Sequence, residues 1–346
     1  MSNHQKIRIG IVGAGVNTRA MHIPGFKAID GVEVGAVCNR SRESSEGVAK
    51  EFGIPKIFDD WKGLVASKEI DAVCLGTWPY LHAPVTLAAL NHGMHVLCEA
   101  RMAMNAEEAR QMLAASKKHP ELVSQLVPAP FTLPLDATIV SLVQSGFLGE
   151  ILSVDLGAHQ NSFIDFDSPL QWRQDERFSG LNTITLGIWY ETLLRWIGPA
   201  KSVTAQGRIF VKARKDADGK KQTIKIPDHL DVIAEMDCGA QANLRFSAVT
   251  GFAPSPEIWL FGSEGTLRID VASQTLHGGK KGEQGLKEIA IPEEKRGRWR
   301  VEEEFINAIR GLEKVKLTTF DDGLRYMEFT EAVHRSLQEG RKMVLT

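Results

Sequence analysis

Apolar residues in the first third of the chain fall in short, nearly unbroken runs at Lys6–Val12, Val32–Cys38, Ile70–Gly76, Met94–Glu99 and Leu122–Val127. Runs of this length suit strands buried on both faces. Helical patterns lie between them. Ser44–Phe52 ends at Gly53, suited to a left-handed cap. His82–His92 carries Pro84 in its first turn, where proline is tolerated. Asn105–His119 opens on Asn105 and Glu108, a capping box with Asn in the Ser/Thr position. Its Ala109, Met112, Leu113 and Ser116 form one face. Alternating strands and helices with short links predict a parallel, doubly wound α/β sheet over residues 1–127.

Beyond residue 127 the pattern changes. Pro128, Pro130 and Pro134 interrupt the alternation. Leu135–Ser145 reads as a helix, Ile151–His159 as a strand, Phe163–Gly180 as irregular and Thr183–Ile197 as an apolar helix. Strand-like runs follow at Ser202–Lys212, Thr223–Ile226, His229–Asp237, Ala242–Val249, Glu257–Phe261 and Thr266–Val271. Turns at Asp216–Lys221 and Gly278–Gly285 separate some of them, and helices at Glu302–Gly311 and Asp322–Glu339 close the chain. Successive strands without intervening helices predict an open, mostly antiparallel sheet in an α+β domain over 128–346. The last helices are free to pack back on the first domain. Helices cover one face of such a sheet, and a second copy of the chain suits the other, so a homo-oligomer is expected.

Composition narrows the classes. With 346 residues, 43% hydrophobic and 24% charged, the chain has material for two ordinary cores. A net charge of −2 with interleaved signs argues against a nucleic-acid partner. No run approaches the ~18 apolar residues of a membrane span. The start, MSNHQKIRIG, lacks the apolar core of a secretory leader. Cys38, Cys74, Cys98 and Cys238 lack metal-site spacing, and the first three sit in or beside strand-like runs. No metal site and a cytoplasmic location are expected.

Candidate chemistry begins where the first run ends in Gly13-Ala14-Gly15. Glycines there let a backbone turn approach a diphosphate, whose charge rests on free amides at a helix N-terminus. The third small position of the G-x-G-x-x-G pattern is Thr18, so the match is partial. Ligands of doubly wound sheets bind at the carboxyl ends of the strands. That rule gathers Gly13–Thr18, Asn39–Arg42, Thr77–Tyr80 and Glu99–Arg101 around one crevice, and Gly13, Gly15, Val16, Asn17, Asn39–Arg42, Thr77, Trp78, His82 and Glu99 are the candidates for holding the cofactor. At the end of the second run a carboxylate would favour NAD, but the chain reads Asn39-Arg40-Ser41-Arg42. Two guanidiniums and a hydroxyl suit a 2′-phosphate, so NADP is favoured over NAD. Solvated loop charges, or Arg40 stacking on adenine, remain open readings of the same residues.

Six segments together resemble the glucose–fructose oxidoreductase / inositol dehydrogenase / MocA (Gfo/Idh/MocA) family: IGIVGAG at 9–15, VCNRSRE at 37–43, GTWPYLHAPVTLAAL at 76–90, HVLCEARMAMNAEEARQML at 95–113, LLRWIGP at 193–199 and FGSEGTLRID at 261–270. The resemblance implies an N-terminal Rossmann domain with a nicotinamide cofactor. It also implies a C-terminal α/β domain with an open sheet through which copies associate, and a sugar or polyol substrate.

The departures from that pattern bear on chemistry. The family's Glu-Lys-Pro signature, whose lysine usually transfers the proton, reads Glu99, Ala100 and Arg101. Its helix bearing Asp, then His and a further Asp, reads Thr185, Trp189 and Thr192 when aligned on Arg195-Trp196. A well-placed acid or base contributes ~10²–10⁴-fold, and none of these residues is one. Arg101 holds an anion or stabilises an oxyanion but is a poor proton donor. Thr185 relays a proton without sourcing one, and His159 is a candidate by type. Trp172 and Arg173 in the irregular segment, with Asn182 and Trp189, are the candidates for contacting a small-molecule substrate. These residues imply an NAD(P)-dependent oxidoreductase with a non-standard site. A silent dinucleotide-binding sensor and a redox-neutral lyase or hydrolase are the alternatives.

Overall fold

A computed structural model describes residues 6–345. The polar start at 1–5, part of the leaderless reading above, lies outside them. The chain divides into two compact units. One comprises the described residues up to Pro128 with Arg300–Leu324, the other Ala129–Trp299 with the described residues from Arg325 on.

The first unit carries strands β1 (Ile7–Val12), β2 (Val32–Cys38), β3 (Lys56–Ile57), β4 (Ala72–Leu75), β5 (His95–Cys98) and β6 (Ser124–Leu126). Its helices are α1 (Ile23–Lys27), α2 (Arg42–Phe52), α3 (Trp61–Val65), α4 (His82–Asn91) and α5 (Ala106–Lys118). The six strands pair in parallel in the order β3-β2-β1-β4-β5-β6. This is the doubly wound order, whose switch point lies between β1 and β4. All four residues of β4 are buried, as a central parallel strand demands. Asn105 caps α5 by accepting from the Glu108 amide at 2.9 Å, while the Glu108 carboxylate reaches back to the Met104 amide. The periodicity did not reveal β3, α3 or the helical stretch after the glycine turn. The first two span two and five residues, shorter than any period that could mark them.

The second unit carries helix α6 (Leu133–Gln144), strand β7 (Ile151–His159), helices α7 (Glu176–Ser179) and α8 (Leu186–Ile197), and strands β8 (Ala200–Arg208), β9 (Ala213–Lys215), β10 (Lys221–Thr223), β11 (His229–Met236), β12 (Gln241–Ser247), β13 (Glu257–Gly262), β14 (Gly265–Asp270), β15 (Thr275–Lys280) and β16 (Lys287–Glu288). Helix α9 (Val301–Ile309) lies in the first unit, helix α10 (Phe320–Glu339) starts there and ends in the second, and β17 (Met343–Val344) closes the large sheet. That nine-stranded sheet runs β16-β15-β14-β13-β7-β12-β11-β8-β17, antiparallel throughout except for β7 beside β12. Its strands alternate buried and outward positions, as in Leu230, Val232 and Ala234 against Asp231, Ile233 and Glu235. The buried face meets α8 and α10: the Ala200 amide donates to the Tyr190 hydroxyl, and the Ala205 amide to Ser336 Oγ.

Two sequence expectations shift here. The strand placed at Thr223–Ile226 is instead β10, because Asp216 accepts from the Asp218 and Lys220 amides and sets a tight hairpin with β9. Gly278 and Gly279 belong to β15 rather than to a turn. A Cβ at Gly278 would lie 2.6 Å from Ile289 and 3.0 Å from Leu267, so close packing, not turning, requires glycine there.

Candidate functional site

At the carboxyl end of β1 the chain turns at Gly13, with φ of 84°. The turn is pressed against the end of β4. A Cβ at Gly76 would lie 1.9 Å from Thr18 Oγ1 and 2.2 Å from the Gly13 carbonyl. A Cβ at Gly13 would lie 2.6 Å from the Thr77 side chain. Thr18, at the place of the third small residue, therefore has a use: its hydroxyl reaches the Gly13 carbonyl at 3.3 Å. Asn39, at the end of β2, accepts from the Ala14 amide at 2.7 Å and donates to Ser44. A side-chain brace thus ties the turn to the second strand.

These elements enclose a cavity of about 480 Å³. Among the residues nominated from sequence, Gly13, Gly15, Asn39, Arg40, Ser41, Thr77 and Trp78 line it. Val16, Asn17, Arg42, His82 and Glu99 do not. Val16 is exposed beyond it, and Asn17 donates to Glu99. Arg42 pairs with Glu46 at 3.0 Å and Asp59 at 2.6 Å. His82 is buried and sets its two ring nitrogens 2.9 Å from the Thr77 and Arg101 carbonyls, bracing the ends of β4 and β5. Burial holds the His82 pKa down against those contacts.

Tyr80 of the Thr77–Tyr80 turn lines the cavity as well, and sequence reading missed Ser44, Asp59, Asp60 and Trp61, which also line it. Asp60 left a legible signal, standing just before a helix whose Gly63 amide it caps at 2.8 Å. The guanidinium of Arg40 stands 5.8 Å from the centre of the Trp78 ring, and Arg40 makes no ion pair among the described residues.

Arg101 follows β5, is 4% exposed, and is joined to Ala100 by a cis peptide bond. In the second unit, Thr185 precedes α8 and is half-buried. Trp189 is buried and stacks on Phe131 at 4.7 Å. The Thr192 hydroxyl reaches the Ile188 carbonyl of its own helix. Asn182 is buried and donates to the Ser179 carbonyl at 2.7 Å. Trp172 and Arg173 lie on a short 3₁₀ turn, the guanidinium 4.2 Å from the ring centre. His159 lies elsewhere, in a cavity of about 540 Å³ on the outward face of the sheet with Asp231, Arg245 and Trp259. Burial and Arg245 hold its pKa down. Among the described residues no group of His, Cys, Asp and Glu is placed to hold a metal ion, and no helix is long and apolar enough to cross a membrane.

Strand order, glycine turn and cavity define a dinucleotide-binding Rossmann domain. Residues 7–126 match the Gfo/Idh/MocA oxidoreductase family, NAD-binding Rossmann fold, and residues 137–268 match the C-terminal domain of that family. The chain belongs to the Gfo/Idh/MocA family of oxidoreductases. It is 28% identical over 277 residues to glucose-fructose oxidoreductase domain-containing protein 2 of Xenopus laevis, covering 79% of this chain and 69% of that one. It is 38% identical over 111 residues to 1,5-anhydro-D-fructose reductase of Ensifer adhaerens, covering 32% and 33%. A solved levoglucosan dehydrogenase in complex with NADH and L-sorbose shares the fold, with a TM-score of 0.87 over 98% of this chain and 99% of that one, at 20% identity.

Proposed function

We propose that the chain is an NAD(P)-dependent dehydrogenase or reductase acting on a sugar-like or other small hydroxyl or carbonyl compound, through a site that departs from the family pattern. The observation that carries this reading is the cavity at the Gly13 turn, where the backbone, Asn39 and Arg40 surround a space suited to a dinucleotide. The relatives named for anhydrofructose and levoglucosan support a sugar-like substrate. The bound nicotinamide would supply or accept a hydride. Arg101 orients the substrate and stabilises negative charge on its oxygen. A water or Thr185 moves the proton, since His159 stands on the outward face of the large sheet, and Trp172, Arg173, Asn182 and Trp189 are assigned to substrate by residue type and family position.

NADP is the preferred cofactor in this reading. Arg42 neutralises Asp59, and Asp60 is committed to a helix N-terminus, so Arg40 beside Ser41 is the charge left for a 2′-phosphate. The outward face of the large sheet suits a second copy of the chain. Trp259 and Phe261 stack there at 5.5 Å, and Ile233 is 52% exposed. Light scattering with Ile233→Asp tests that association. The buried thiols Cys38, Cys74 and Cys98 fit the cytoplasm.

Titrating purified protein with NADPH and NADH by fluorescence, then following nicotinamide absorbance with keto-sugars and aldehydes, tests the reading. Binding with turnover supports it. Binding without turnover on any substrate favours the sensor, a second reading motivated by Ala100, Thr185, Trp189 and Thr192 standing where the family has its acids and bases.

A further inference from the structure

The turn proposed to take a diphosphate stands beside two carboxylates, Glu99, half-buried, and Glu302, buried. The helical stretch after the turn opens with a π-helical segment, Thr18–His22, which runs into α1. The His22 ring at its end is fully buried. His22 Nδ1 lies 2.5 Å from Glu302 Oε1 of α9, and Nε2 lies 3.0 Å from Glu99 Oε1 at the end of β5. Glu99 in turn accepts from Asn17 of the loop. Carboxylate oxygens at both ring nitrogens call for two N–H donors, and only imidazolium has two. The Glu302 contact is built into the backbone as well. A Cβ at Gly25 would lie 2.8 Å from Glu302 Cγ and 2.9 Å from Oε2, so glycine admits that side chain.

We propose that His22 is a positioning residue of the dinucleotide site, its imidazolium spanning Glu99 and Glu302 so that Asn17 is held and one of two negative charges near the diphosphate turn is cancelled. The inference rests on the dinucleotide reading above. Ionised Glu99 and Glu302 with neutral imidazole leave a charge of −2 by the turn; protonated His22 leaves −1. The second figure costs a bound diphosphate less. Other titratable groups facing the cluster are Cys74 and Cys98, whose thiols burial and Glu99 push up, and His82, which burial pushes down. The thiols add no charge at neutral pH, and the neutral carbonyls at the two His82 nitrogens, unlike the carboxylates at His22, do not offset the cost of burying a charged ring. Burial lowers the His22 pKa, but the two carboxylates outweigh it and raise it to about 9. Raised above its ordinary 6.5, it contributes stability in full below that value and loses it as pH rises through about 9.

The test compares the wild type with His22→Gln and Glu302→Gln, measuring the NADH Kd by fluorescence from pH 6.5 to 10 and checking folding by thermal melts. The His22 ring is followed by carbon-13 NMR in the nucleotide-free protein. The wild-type Kd is expected to stay level to about pH 8 and to weaken about tenfold by pH 10 along one proton. The NMR titration of His22 should show the same inflection. Folded His22→Gln binds weakly at every pH and shows no such step, and Glu302→Gln moves the step to lower pH. A level wild-type Kd across the range, an imidazole that titrates near its ordinary value, or a folded His22→Gln that binds as the wild type does overturns the inference. Each of these outcomes leaves the dinucleotide reading standing. Only absence of wild-type binding near neutral pH overturns that reading, and the inference with it.

Discussion

The Gly13 turn and the Thr185–Thr192 helix face both enter the proposed site, and their side chains are used differently. At the turn, Thr18 bonds the Gly13 carbonyl and Asn39 ties down Ala14. On α8, Trp189 stacks on Phe131 and Thr192 bonds within its helix, at positions that the resemblance read from sequence assigns to an acid and a base. A binding site tolerates substitutions that rebuild the same surface. A proton-transfer site requires groups of particular pKa, and a threonine or tryptophan does not restore one.

The sharpest way to break the comparison is at the turn. Gly76→Ala forces a Cβ against Thr18 and the Gly13 carbonyl. It should cost about 1–3 kcal/mol of stability through overpacking. Dinucleotide binding should fall below detection, as thermal melts and NADH fluorescence will show. Unchanged binding would mean the turn does not hold the dinucleotide.

Arg101 tests whether a rebuilt site remains. Arg101→Ala should lower kcat/KM by about 10²-fold on the best substrate found, with the NADPH Kd moved less than about threefold. Arg101→Lys keeps the charge but not the fork, and should recover part of the loss. Equal losses in Kd and kcat/KM would assign Arg101 to holding the chain together.

Cofactor preference comes next in size. Arg40→Ala should weaken NADPH about tenfold and NADH less than about twofold, the difference being one charge-assisted contact. Arg42→Ala should leave the ratio unchanged, since its guanidinium is taken by Glu46 and Asp59. A changed ratio in the Arg42 variant with none in the Arg40 variant would reverse the assignment.

What the chain disclosed in advance followed the physics of each signal. Strands buried on both faces, such as Ala72–Leu75, are continuous apolar runs and were legible. Helix caps such as Asn105 and Gly53 are set by local chemistry and were legible too. Elements held by tertiary packing, such as Lys56–Ile57, were not, and with them went Asp59 of the cavity. Glu302 stands 280 positions from His22, and only the fold joins them. Arg40 and Arg42 look equivalent in sequence, but ion pairing separates them.

The smallest expected effect concerns the emptied helix face. Thr192 is fully buried, and its hydroxyl meets the Ile188 carbonyl at 3.5 Å, a weak contact. Thr192→Val keeps the shape and removes that hydroxyl. It should cost no more than about 1 kcal/mol in urea unfolding and change kcat/KM by less than about twofold. Glu191, next to it in sequence, is buried for a structural purpose, accepting from the Ala129 amide at 3.0 Å and facing Arg195. Glu191→Gln should therefore cost more in stability than Thr192→Val, and no more in turnover once folded. A Thr192→Val enzyme that stays folded and loses turnover would show that this face handles a proton after all, and the contrast with the turn would then be one of chemistry moved rather than chemistry lost.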